Sequence, residues 1–221
     1  MIIRVIGTFE RTEPAERGIL RCTAAHEAGD PAQAMAVAQS LAGRVREAIE
    51  SLDAGSVKRF TLNAARTSSW QEAGADGAPG ATRHRVEVDI TAVFTRLDLV
   101  GAFAAAWGAE PGLLVHGVEW ALSDETRQRH ADAVLTAAVH EATRRARVIA
   151  AASGAGEPRI VEVRDPEAGA PGAVAYSSEE LRQRYGAGAR YSWSAYPLES
   201  SVDVAPSPIV IAAAVEATFE A

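Results

Sequence analysis

The stretch RHADAVLTAAVHEATRRARVIA, residues 129–150, holds two histidines with acidic residues close by, the residue types of a metal or acid–base site. Spacing argues against that chemistry. On an α-helix His130 and His140 project about 80° apart and roughly 15 Å apart along the axis, too far to share an ion. Asp132 points about 160° away from His130, to nearly the opposite face. The zinc-binding helix pattern needs two histidines four residues apart, which this stretch lacks. It reads as a helix with a solvated polar face, on which His140 meets Arg144 and Glu141 meets Arg145. Arg144, Arg145 and Arg147 fall in its C-terminal half, where cations suit the helix dipole.

The remaining chemistry-bearing residues give the same answer. Cys22 is the one cysteine, so no intrachain disulfide can form. It lies in the apolar/polar alternation of GILRCTAAHE and reads as a buried strand thiol. His26, four residues on, would stand roughly 13 Å away along a strand, out of reach of a thiol nucleophile. Lys58 is the only lysine, which removes the lysine of a phosphate-binding loop and any obvious Schiff-base residue. GAGE and GAGAR are short glycine turns, and no G-x-S-x-G elbow exists. The expectation is therefore no catalytic, cofactor-binding or metal-ligating residues and no cofactor. An alternative is an enzyme, hydrolase-like, whose site is assembled from sequence-distant residues and involves His116 or His26.

The stretch from Asp165 to Pro208 does not read as regular structure from end to end, and segments of that length inside a compact domain are often functional. It contains every tyrosine of the chain, Tyr176, Tyr185, Tyr191 and Tyr196, together with Trp193. Disordered chain is poor in aromatics, so the composition argues for a segment that packs on something. These five residues are the candidate interface or pocket rim, because Tyr and Trp suit interfaces. Arg182, Arg184 and Arg190 are outnumbered by nearby carboxylates, and the net charge of −7 gives no generic basic face for a phosphate backbone. No nucleic-acid partner is expected. No run reaches the length of a membrane span, and the N-terminal MIIRVIGTFER lacks the regions of a signal peptide. A cytoplasmic location is the expectation.

These residues must be positioned by a recognisable set of elements. IIRVIGTFERTE and RGILRCTAAHEA read as strands joined by a short turn near Pro14–Glu16. Asp30 as N-cap, Pro31 at the first helical position and Gly55 as terminator bound a helix. Its apolar stripe is Ala34, Val37, Ala38, Leu41, Val45, Ala48, Ile49 and Leu52. SVKRFTLNAARTSSW and TRHRVEVDITAVFTR read as two further strands around the loop QEAGADGAPGA. In the second of them Val86, Val88, Ile90 and Ala92 take one face and Arg85, Glu87, Asp89 and Thr91 the other. A short helix over DLVGAFAAAWGAE, a strand over GLLVHGVEWALSDE, a long helix with Ser123 as N-cap, and strands over EPRIVEVRDPE and SPIVIAAAVEATFEA complete the chain. The long helix buries Ala131, Val134, Leu135, Ala138, Ala142, Ala146 and Ile149. The fold class is α+β: antiparallel β-sheet covered by two long helices.

The opening strand IRVIGTFE, the middle segment HRVEVDITAVFTRLDLVGAFAAAWGAEPGLLVHGVEWALSDE, the alanine-rich helix AAVHEATRRARVIAAASG and the closing strand SPIVIAAAVEATFEA together resemble the SIMPL domain family. Within the middle segment, Gly117 to Asp124 is similar to the family's G-x-x-F-x-L-S-D strand end, with Trp120 in the aromatic position. The resemblance spans nearly the whole chain. It implies a β-β-α-β-β-type architecture, read as a single compound domain over 1–221 with halves 1–97 and 98–221 and the aromatic-rich segment 165–208. It carries no family-wide catalytic residues. The resulting expectation is a non-enzymatic, self-assembling scaffold or binding protein: a homo-oligomer, with a protein or small-molecule partner. Besides the enzyme, a small-molecule-binding monomer is the other alternative.

Overall fold

A computed structural model describes residues 1–73, 79–165 and 205–221. The chain is an α+β protein with antiparallel sheets and, among the described residues, three helices. Strands β1 (Ile2–Glu13) and β2 (Arg17–Ala28) precede helix α1 (Pro31–Glu50). Then come β3 (Val57–Leu62), β4 (Arg66–Ala73), β5 (Pro79–Phe94), α2 (Asp98–Gly108), β6 (Leu113–Ala121), α3 (Asp124–Ala152), β7 (Arg159–Arg164) and β8 (Ile209–Glu220).

These elements form two compact units. One holds β1, α3, β7 and β8, and the other holds β2 through β6 with α1 and α2. In the first, the sheet order is β1-β8-β7, and β1 runs antiparallel to β8 from Ile2 opposite Glu220 to Glu13 opposite Ile209. Helix α3 starts at Ser123, whose hydroxyl accepts from the Thr126 N–H, satisfying one of the first-turn donors. Its buried residues are Val134, Ala138, Ala142, Ala146 and Ala150, packed with Ile3, Val5, Val215, Ala217 and Phe219 and, at Val134, with Ile211. Gly7 of β1 lies hard against this alanine row. A Cβ there would come within 2.0 Å of the Ala138 carbonyl oxygen and 2.7 Å of the Ala142 nitrogen. Leu135 and Ile149, expected in the buried stripe, are exposed instead. The row of every fourth residue runs obliquely across a helix surface and suits a helix laid over a twisted sheet.

In the second unit the order is β3-β5-β2-β6, with β4 also pairing β5. The expected strand over residues 56–70 is two strands, because Asn63 to Ala65 break the ladder, and both halves pair with the long β5. Strand β5 begins at Pro79, inside the stretch expected to be loop. Asp30 caps α1, its carboxylate accepting from the N–H groups of Ala32 and Gln33. Ala34, Ala38, Leu41, Ala42, Val45 and Ile49 of α1 are buried with Leu20, Cys22, Ala24, Val86, Val88 and Ile90 of the sheet. Val37, expected in that stripe, is exposed, and Ala42 replaces it. Phe103 of α2 sits 5.6 Å from the Phe94 ring and 6.0 Å from the Trp107 ring, closing the end of this core. At the start of α2 the Arg96 guanidinium donates to both Asp98 oxygens and holds that carboxyl below its ordinary range.

Consecutive strands β1 and β2 thus pair in different sheets, although only the residues around Pro14–Glu16 separate them. Among the described residues no helix is long and apolar enough to cross a membrane.

Candidate functional site

Strand alternation sends Leu20, Cys22 and Ala24 of β2 toward α1, so Arg21, Thr23 and Glu27 take the other face. On β5 the same face carries Arg85, Glu87 and Asp89, as the alternation of that strand predicts. β6 supplies the third row, and there the ladder slips. Arg21 lies opposite Gly117 while Cys22 lies opposite Val115, leaving His116 as the extra residue of a bulge. Gly117 has φ +136°, which a residue with a Cβ rarely adopts. Bulges re-aim side chains, and this one sets His116 over Thr23.

The result is a chain of hydrogen bonds across three strands and out to a fourth. Thr23 Oγ1 lies 2.8 Å from Asp89 Oδ1 and 2.7 Å from His116 Nε2. Arg66 of β4 grips Asp89 with both arms, 2.9 Å to Oδ2 and 3.1 Å to Oδ1, and reaches Glu87 at 3.4 Å. Glu87 also accepts from Arg85, which pairs with Glu27, and Arg21 pairs with Glu119 nearby. Thr23 is the buried member, with 5 % of its surface exposed, while Arg66 stands largely in water.

Proton counting fixes the direction of the chain. A carboxylate only accepts, so the single Thr23 proton goes to Asp89 and the hydroxyl oxygen accepts from His116 Nε2–H. His116 is thereby held with its Nε2–H directed at Thr23. The arrangement can hold an imidazole in a fixed orientation. It does not activate Thr23 as a nucleophile, since that requires the hydroxyl to donate to the imidazole.

His26 belongs to the face of β2 that carries Cys22 and Ala24, so it and His116 lie on opposite faces of the sheet. Burial pushes the Cys22 thiol up to about 11, in keeping with the buried strand thiol expected there. His130 is not on a solvated face. Its side chain is 12 % exposed, and Nε2 lies 3.6 Å from Glu13 Oε1 on β1. His140 is exposed. Glu141 pairs with Arg144, not Arg145, and that guanidinium holds its carboxyl below the ordinary value. Arg145 reaches instead to the Ile6 carbonyl of β1. Among the described residues no group of three or more His, Cys, Asp or Glu could hold a metal ion. Tyr176, Tyr185, Tyr191, Trp193 and Tyr196 lie outside the described residues.

The sequence gives one local clue to the His116 cluster: a glycine within the strand LLVHGVEWA, which signals a bulge. Nothing local names its partners.

The family model described as "SIMPL: Protein of unknown function (DUF541)" matches residues 3–219, which takes in elements of both units. No curated protein matches the chain.

Proposed function

The chain belongs to the SIMPL family, and from that premise we propose that it acts by binding and self-assembly rather than by catalysis, as a scaffold or binding protein. The observation that carries this reading is the outer strand β7, where Ile160, Val161 and Val163 are 49 %, 61 % and 42 % exposed. Apolar side chains gathered on a short strand at a sheet edge favour a protein partner. The direction of the Thr23 proton favours the non-catalytic half of the reading, since it leaves the hydroxyl without a base. In this reading the chain is one compound domain, each long helix covers a sheet, and Tyr176, Tyr185, Tyr191, Trp193 and Tyr196 contribute to the contact or rim a pocket. The aromatic part rests on residue type alone.

Sedimentation velocity of the double variant Tyr191→Ser/Trp193→Ser tests the aromatic part. Weaker association with an unchanged circular dichroism spectrum is expected; unchanged association would remove those residues from the contact.

A second reading, an enzyme with a site assembled from distant residues, is favoured by one observation: Thr23, Arg66, Asp89 and His116 meet from four strands. A hydrolase screen decides it. Activity abolished by His116→Ala would carry the enzyme reading, and a blank screen leaves it without support.

A further inference from the structure

We propose that the free edge of β7 adds to the β7 edge of a second copy of this chain, antiparallel, about a two-fold axis at Val163. The inference rests on the assembly reading above and supplies its contact.

β7 pairs with β8 on one side, and among the described residues it has no strand on the other. All of its residues are exposed. A strand edge with unpaired backbone groups is a template for another strand, the mode of recognition called strand addition. The opposite edge of the same sheet is guarded differently. There Arg145 reaches over from α3 and donates to the Ile6 carbonyl of β1, so a charged side chain occupies a backbone acceptor that a new strand would need.

The register follows from charge. A bulge between Ile160 and Glu162 disturbs the first half of β7 and leaves Glu162 to Arg164 regular. A two-fold axis perpendicular to the sheet keeps each side chain on its own face, so a residue can lie opposite only itself or one an even number of positions away. Centring the axis on Glu162 sets two carboxylates against each other, and centring it on Arg164 sets two guanidiniums against each other. Centring it on Val163 places Glu162 opposite Arg164 of the partner subunit, and the reverse, on either side of a valine–valine contact. Cross-strand partners of opposite charge stabilise a pair of strands, and like charges oppose it. Within one chain Arg164 already leans on Glu162 at 2.8 Å, both largely in water. The pairing therefore extends an existing contact into a ladder of four charges.

The test is charge reversal, read as the dimer constant by sedimentation equilibrium. Glu162→Arg and Arg164→Glu alone are each expected to weaken dimerisation about tenfold, and the double variant E162R/R164E to restore it. Both positions are exposed, so the variants keep the fold, which circular dichroism verifies. Independently, Val163→Cys in a Cys22→Ala background is expected to give a disulfide-linked dimer on a non-reducing gel after mild oxidation. An assembly indifferent to the single reversals, or not restored by the double one, or a Val163→Cys variant that stays uncrosslinked, overturns this pairing and leaves the assembly reading standing. A wild-type chain that is monomeric at every concentration overturns both.

Discussion

Thr23 has a single hydroxyl proton, and the direction in which it points decides what the cluster on the sheet face away from α1 can do. Given to Asp89, it leaves His116 oriented and Thr23 inert; the guanidinium of Arg66 secures that order by occupying both carboxylate oxygens. Little of this was legible in the sequence. The alternation of β5 put Asp89 and Glu87 on one face, but Thr23 lies 66 positions from Asp89 and 93 from His116. Those contacts depend on strand register, which a single sequence does not encode locally. Cys22 was more transparent, because alternation alone places it inward. Its thiol ordinarily titrates near 9.0 and is pushed up to about 11 by burial. The fold favours the neutral thiol, so this contribution to stability is whole below pH 9.0 and is lost as pH rises through about 11. Urea midpoints measured across that window should fall further for the wild type than for Cys22→Ala. Parallel curves for the two proteins would contradict the assignment.

At the scale of the element, two glycines hold different devices in place. Gly7 lets β1 lie directly on α3, and its Cβ would strike backbone atoms that cannot swing aside. Gly117 has open space around it but a backbone conformation that other residues rarely adopt. Gly7→Ala is therefore expected to cost about 3 kcal/mol through overpacking. Gly117→Ala should cost about 1–2 kcal/mol through backbone strain. Chemical denaturation ranks them, and a Gly7→Ala variant as stable as wild type would mean that β1 does not rest on the helix backbone. Most elements were readable: caps at Asp30 and Ser123, the alternation of β2 and β5, and the alanine row of α3. Helical spacing predicts Leu135, Ile149 and Val37 inside, yet all three are exposed, while Ala42, outside the expected stripe, is buried. His130 looked solvated because its partner, Glu13, belongs to the far end of the chain.

At the scale of the molecule, strand order escaped the sequence. A turn as short as that at Pro14–Glu16 ordinarily joins strands that pair, yet β1 pairs with β8, the last strand of the chain. Closing so long a loop costs entropy, which the β1–β8 ladder and the packing of α3 on both strands offset. The match over residues 3–219 treats these elements as one family pattern. Among the described residues the sheet holding β1 ends in β7, and the proposed self-assembly rests on its exposed Ile160, Val161 and Val163. The most direct test of self-assembly is absolute mass by light scattering after size exclusion, at two protein concentrations. Self-assembly predicts a mass that is a multiple of the 23.2 kDa chain and does not fall on dilution within the working range. A mass of 23.2 kDa at both concentrations would contradict it.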